Sequence, residues 1–199
     1  MTTGAIILSA GESRRMGRPK ALLPLRDGTF LSVLGETLGK FCHPVVAVFG
    51  APGVMEQAPG NVTPVANPRY QEGMLTSLQA GLRALPAVER VLFTLVDHPA
   101  IRSRTVARLL QSAAPIAIPR YAGKRGHPVV VSAAIAAEFL REPAEAEVRA
   151  VINRYGAAID YVEVDDPAIH DDVDDPALYA ALLDREALKR EALDLEATP

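Results

Sequence analysis

Leu8-Ser9-Ala10-Gly11-Glu12-Ser13-Arg14-Arg15-Met16-Gly17-Arg18-Pro19-Lys20 decides how this chain is read. Its first residue ends the apolar run Ala5-Ile6-Ile7-Leu8, which has the length and composition of a buried strand. Small residues then leave the backbone accessible, and Arg14, Arg15, Arg18 and Lys20 concentrate cationic charge beside it. Backbone N–H groups together with Arg and Lys are what a polyphosphate requires of a protein. The stretch is a candidate triphosphate-binding loop, and the flanking sequence shows what can complete a site around it.

Outward from the loop, strand-like and helix-like segments alternate. Pro24 and Asp27-Gly28 mark turns, and Phe30, Leu31, Leu34 and Leu38 fall at helical spacing with Gly39 at the exit. Pro44–Phe49 reads as a second strand closed by Gly50-Ala51-Pro52-Gly53, and Val62–Ala66 as a short third strand before a turn at Asn67–Tyr70. Leu75, Leu78, Leu82 and Leu85, bracketed by Gly73 and Pro86, predict a helix. Val91–Val96 is the most apolar strand, with Asp97-His98-Pro99 at its end. Ser103 is expected to cap the next helix, with Val106, Leu109 and Leu110 facing inward. Strands follow over Pro115–Pro119 and Val129–Val131, helices over Ala133–Arg141 and Glu145–Tyr155, and a strand over Ile159–Val164. A closing helix is expected from Ala177 to about Leu195, its charged last turns, within 184–199, solvated and frayed.

Strands apolar on both faces that alternate with helices indicate an α/β fold: a Rossmann-like, mainly parallel sheet with helices on both faces. At 199 residues, one domain over 1–199 is the expectation. In such sheets ligands bind beyond the carboxyl ends of the strands, so the cationic loop and Asp97 should share one edge.

Composition bounds the partners. A net charge of -3 argues against a broad basic nucleic-acid surface, and no apolar run approaches the roughly 20 residues of a membrane helix. Cys42 is the only cysteine, which excludes an intramolecular disulfide or a cysteine-based structural zinc site and leaves Cys42 as inert packing. The N-terminus lacks the pattern of a secretory signal, so a cytoplasmic location is expected.

The loop has neither Walker A spacing nor the Gly-x-Gly-x-x-Gly dinucleotide fingerprint, which disfavours hydride transfer. Its pattern Leu-x-Ala-Gly-x-Ser-x-Arg-Met-Gly-x-x-Lys, directly after the first strand, closely resembles the signature of the molybdenum cofactor nucleotidyltransferases. The resemblance runs from about Ala5 to Leu183 and is closest to the cytidylyltransferase branch. Asn67-Pro68-Arg69-Tyr70-Gln71-Glu72-Gly73-Met74-Leu75-Thr76-Ser77-Leu78 is similar to that family's base-proximal segment, and Leu95-Val96-Asp97-His98-Pro99 to its metal-binding strand end. Gly126-His127-Pro128-Val129 resembles an acceptor-side segment, and Asp172-Val173-Asp174-Asp175-Pro176 a late acidic element. One segment departs: where the family carries Gly-Asp-x-Gly-Ala-Arg, this chain has Ala144-Glu145-Ala146-Glu147-Val148-Arg149, keeping an acid and the Arg but neither glycine. That departure bears on the acceptor more than on the reaction, because glycines permit close backbone approach to a ligand.

The resemblance implies a Mg²⁺-dependent transfer of CMP from CTP to molybdopterin-bound molybdenum, with pyrophosphate released and a client molybdoenzyme as a further partner. Ser9-Ala10-Gly11 falls on the family's cytidine side, where guanosine enzymes carry Gly-Gly. Arg15 and Lys20 suit the electrostatic work of the reaction, and Asp97 suits Mg²⁺, joined by Asp174 with Asp172 as its competitor. Leu8, Ala10, Gly11, Glu12, Ser13, Arg15, Lys20, Asn67, Gly73 and Ser77 are the implied nucleotide contacts, and His127 and Arg149 the acceptor contacts. Lys124 and Arg125 can add anion affinity, or simply be exposed loop charges. His98 has no claim as a base, because the reaction needs none, and is expected to tune the site. Read without the resemblance, Asp97 is also compatible with a helix cap, and Asp171–Asp175 with a solvated acidic turn. A sugar or polyol phosphate is the alternative acceptor, and a non-catalytic nucleotide-binding partner of a molybdoenzyme is the alternative function.

Overall fold

The computed structural model describes residues 1–50 and 53–196. Ten strands and six helices alternate along them. The strands are β1 (Thr3–Ser9), β2 (Pro24–Leu25), β3 (Gly28–Thr29), β4 (Val45–Phe49), β5 (Thr63–Ala66), β6 (Arg90–Leu95), β7 (Ile116–Tyr121), β8 (Lys124–Arg125), β9 (Val129–Ser132) and β10 (Ile159–Glu163). The helices are α1 (Phe30–Gly39), α2 (Met74–Ala84), α3 (Ser103–Leu110), α4 (Ala133–Phe139), α5 (Val148–Asn153) and α6 (Pro176–Glu196). The turn expected at 50–53 includes residues 51 and 52, which lie outside the described residues, as do residues 197–199 at the end of the predicted frayed segment.

The main sheet runs β10-β7-β9-β6-β1-β4-β5, with β8 folded onto β7, while β2 and β3 form a separate small hairpin. β1 sits at the centre, parallel to both β4 and β6. Within the main sheet, among the described residues, only β9 and β8 run antiparallel to their neighbours. The physical reason is length: a parallel neighbour needs a crossover of a dozen or more residues, and the connection from β7 to β9 is too short for one.

Both faces of the central strands are buried. Ile6 and Leu8 of β1 pack with Leu75, Leu78 and Leu82 of α2 on one face. Ala5 and Ile7 pack with Phe30, Leu31, Leu34 and Leu38 of α1 on the other. The period-2 alternation of the strand thus feeds two cores from one segment. α1 starts with a reciprocal cap, Ser32 N–H to the Thr29 side chain and Thr29 N–H to Ser32 Oγ.

The start of α3 corrects one expectation. Ser103 is its first helical residue rather than its cap, and no side chain of the cap residue Arg102 serves. The fully buried Asp166 of a distant segment braces this turn instead, accepting from Arg102 N (3.0 Å) and Thr105 Oγ1 (2.6 Å), while its other oxygen caps its own following turn at Ala168 N (3.2 Å). α6 docks through Tyr179, which donates to Pro24 O at 2.8 Å and meets the Phe30 ring edge-on at 5.7 Å.

Candidate active site

In the parallel register of β1 and β6, Leu8 lies beside Leu95, and Val96 N donates to Leu8 O at 3.1 Å. Whatever follows these two strands must emerge at one edge, and a cleft of 810 Å³ opens there. Leu8 to Arg15, Lys20, Tyr70, Gly73, Ser77, Asp97 and Asp174 line it.

The loop after β1 reaches back over the strand end. Ser13 (φ 50°) and Gly17 (φ 71°) turn the chain through the left-handed region, and Met16 is buried beneath them. Lys20 N then donates to Ser13 Oγ at 3.1 Å, closing the loop. The result carries Lys20 inward: the residue is only 8% exposed. Its ammonium donates to Asp97 Oδ2 at 3.0 Å and also to Asp174 Oδ1. Arg15 pairs with the other oxygen of Asp174, and the remaining oxygen of Asp97 faces His98 Nδ1 at 2.9 Å. Val173 N donates to Asp97 O at 3.1 Å, which ties the late acidic segment to the end of β6.

Electrostatics explain why a buried lysine keeps its charge here. Burial alone would lower its pKa, but hydrogen bonds and charge from Asp174 and Asp97 outweigh it, so Lys20 lies above the usual lysine range. Burial likewise pushes Asp97 up, and the hydrogen bond and charge of His98, then Lys20, hold it below the usual carboxylate range. Asp172 is raised, first by burial and then by the charges of Asp97 and Asp174. Oxygens of Asp97, Asp172 and Asp174 lie within 4.8 Å of one another. Three carboxylates that close, one of them pushed towards its neutral form despite Lys20, are short of positive charge. An all-oxygen donor set of this kind fits a hard divalent cation.

The opposite wall is the start of α2. Gly73 adopts φ 127°, a region costly for any residue with a Cβ, and lets the chain turn directly into the helix. Gly73, Met74 and Ser77 face the cleft, so the positive end of the helix dipole borders it. Glu12 pairs with Arg14 and accepts from Gln71 Nε2 at 3.4 Å, linking loop and wall.

The remaining candidates divide. Asn67 is buried and committed: Nδ2 donates to Thr76 Oγ1 (3.0 Å) and Ser77 Oγ (2.9 Å), while Oδ1 accepts from Arg69 N (3.0 Å). It shapes the Asn67–Leu78 segment without lining the cleft. His127 is not on the wall either. It sits behind His98, ring centroids 5.0 Å apart, with its Nδ1 buried and unpartnered. Burial, then the neighbouring His98, lowers its pKa to about 4. Arg149 is exposed on α5, away from the cleft. Lys124 is exposed, and Arg125 bonds Asn153 Oδ1 at 3.3 Å.

Sequence reasoning missed Tyr70, Gln71 and Met74 as lining residues. Gly50 supports Tyr70: a Cβ there would come within 2.3 Å of Tyr70 Cγ. The signal was present in the Asn67–Leu78 segment, but the Gly50–Tyr70 contact needs the fold to be seen.

Comparison with known proteins agrees with this geometry. Residues 5–159 match the model of the MobA-like NTP transferase domain. The chain is 34% identical over 184 residues to a nicotine blue oxidoreductase of Paenarthrobacter nicotinovorans, covering 85% of this chain and 90% of that one. It is 31% identical over 170 residues to the molybdenum cofactor cytidylyltransferase of Escherichia coli, covering 80% and 86%. A nucleotidyl transferase structure from Methanothermobacter superposes with a TM-score of 0.80 at 21% identity, covering 94% of this chain and 99% of that one, and so shares the fold. The α/β sheet with its loop, lysine and carboxylates, and the match over most of its length, place this chain in the MobA-like NTP transferase family.

Proposed function

We propose that the protein transfers CMP from CTP to a phosphorylated acceptor, most specifically molybdopterin-bound molybdenum, releasing pyrophosphate. The observation that carries the reaction is Lys20, held between Asp97 and Asp174 at the mouth of a cleft walled by the loop Leu8–Arg15. An acceptor phosphate oxygen forms a bond to the α-phosphorus of the triphosphate as the bond between that phosphorus and the bridging oxygen breaks. Pyrophosphate leaves with the bridging oxygen. The acceptor oxygen is already anionic, so no protein nucleophile and no general base is required. What the protein must do is bring anions together, align them and stabilise the leaving group.

Arg15 and Lys20 do this with the two geometries of cation, a fork and a compact ammonium. The loop backbone and the start of α2 add neutral donors around the phosphates. Asp97, Asp172 and Asp174 would hold Mg²⁺, which when bound neutralises triphosphate charge. The preference for CTP is supported by Ser9-Ala10-Gly11 and by the Escherichia coli relative named as a cytidylyltransferase. The acceptor rests on relatives named as molybdenum cofactor nucleotidyltransferases and on no contact of the site, because Arg149 and His127 do not line the cleft. A sugar or polyol phosphate is the competing acceptor, and a client molybdoenzyme is the partner that the first acceptor brings with it. A cytoplasmic site of action accords with this reading.

Incubation with each nucleoside triphosphate, Mg²⁺ and molybdopterin or a small phosphate ester, followed by pyrophosphate release, tests the assignment. Turnover with CTP and the molybdenum-loaded pterin is expected. Turnover only with the phosphate ester would replace the acceptor. Tight nucleotide binding without turnover would favour a non-catalytic partner. Because one relative bears an oxidoreductase name, NADH and NADPH oxidation are followed in parallel. Nicotinamide oxidation without pyrophosphate release would overturn the transferase reading.

A further inference from the structure

Asp97 is held by a chain of rings that begins in the core. Phe139, fully buried, meets Phe93 edge-on at 6.1 Å, and Phe93 meets His127 at 6.4 Å. His127 meets His98 at 5.0 Å, and His98 Nδ1 lies 2.9 Å from Asp97 Oδ1. His98 itself is only 6% exposed, so its ring has little freedom. His127 is fixed by its backbone, which donates to Ile169 O at 3.1 Å. The residue before it has no room for a side chain: a Cβ on Gly126 would stand 2.2 Å from the same Ile169 oxygen. Ile169 leads, three residues later, into the segment carrying Asp172 and Asp174. The two sides of the acidic cluster are thus mounted on one anchor.

We propose that His98 is a positioning residue for the metal centre, holding Asp97 Oδ1 so that Oδ2 stays turned towards Lys20 and the acidic cluster that would hold the cation, with His127 as the buttress that fixes the His98 ring. This rests on the active-site reading above. It also reassigns His127 from acceptor contact to support. A donor on one oxygen of a ligating carboxylate fixes its plane, and losing such an outer partner typically weakens metal binding by about 10–100-fold. Nothing in the transfer reaction needs either imidazole to exchange a proton.

The test uses the full chain with Mn²⁺ and a non-hydrolysable CTP analogue, following free Mn²⁺ by electron paramagnetic resonance. His98→Phe keeps a ring against His127 but removes the donor, and should weaken Mn²⁺ binding at least tenfold while nucleotide affinity without metal stays unchanged. His98→Asn carries a side-chain N–H near the Nδ1 position and should restore most of the loss. In turnover, the defect should appear as a raised KM for the metal before any fall in kcat. A folded His98→Phe that binds Mn²⁺ like the wild type, or a His98→Asn no better than it, would overturn the proposal. If His98→Phe does not fold, His127→Leu reads the same chain of rings, and unchanged Mn²⁺ affinity there is equally fatal. A wild-type protein that binds neither Mn²⁺ nor the analogue would instead bring down the active-site reading beneath it.

Discussion

One ammonium group, Lys20 Nζ, joins the cationic loop to the acidic centre. In the cleft it compensates Asp97 and Asp174, and on the proposed reading it also meets the triphosphate. Lys20→Ala should therefore lower kcat by roughly 10²–10³-fold, with nucleotide binding still measurable by calorimetry. Equal loss in binding and in turnover would mean that the lysine serves the ground state alone. A second residue-scale prediction concerns His127, whose pKa of about 4 lies below its ordinary 6.5. The unfolded chain then binds more protons than the folded one between those values, so stability must fall as pH drops from about 6.5 towards 4. The lost stabilisation amounts to about 3 kcal/mol at most. Urea titrations across this range should show a shallower acid loss for His127→Phe than for the wild type. Identical slopes would show that His127 is not the group responsible. Residue chemistry was legible where it was local: Arg15, Lys20 and Asp97 stood out by type and position, and all three line the cleft. The commitment of Asn67 to Thr76 and Ser77 was not legible, because a buried amide's partners depend on how a turn folds back.

At the scale of elements, the loop after β1 and the start of α2 were readable because glycines mark chain reversals, and Gly17 and Gly73 both occupy positive φ. The antiparallel insertion of β9 was not, since a short apolar run looks the same in either direction. The cap of α3 shows the limit most plainly. Ser103 is a good local cap by type, yet the turn into α3 is braced by Asp166, more than sixty positions away in sequence, through Arg102 N and Thr105 Oγ1. Its carboxylate is fully buried and satisfies two backbone N–H groups and a hydroxyl. Removing it leaves those donors unpaired, so Asp166→Ala should cost roughly 2–4 kcal/mol, whereas Ser103→Ala should cost well under 1 kcal/mol. Equilibrium denaturation of both variants checks this, and a Ser103→Ala loss as large as that of Asp166→Ala would contradict it.

Across the whole molecule, the parallel core β4-β1-β6 does the organising. Because β1 and β6 run the same way side by side, a loop at residue 10 and a carboxylate at residue 97 meet at one edge. That convergence is legible in the alternation of strands and helices alone. The arrival of Asp174 did not: it depends on α6 docking through Tyr179 and on the backbone bond from Val173 to Asp97. The altered Ala144–Arg149 segment leaves Arg149 exposed on α5, in keeping with an acceptor held differently from the sequence expectation. On the proposed reading, this edge cleaves a nucleoside triphosphate between its α- and β-phosphorus. The most direct measurement is product analysis by phosphorus nuclear magnetic resonance after incubation with CTP, Mg²⁺ and a phosphorylated acceptor, for the wild type and for Asp97→Asn. Pyrophosphate with a new diphosphate linkage between CMP and the acceptor is predicted for the wild type, with at least a hundredfold less from Asp97→Asn. Orthophosphate and CDP in its place, or undiminished pyrophosphate from Asp97→Asn, would contradict it.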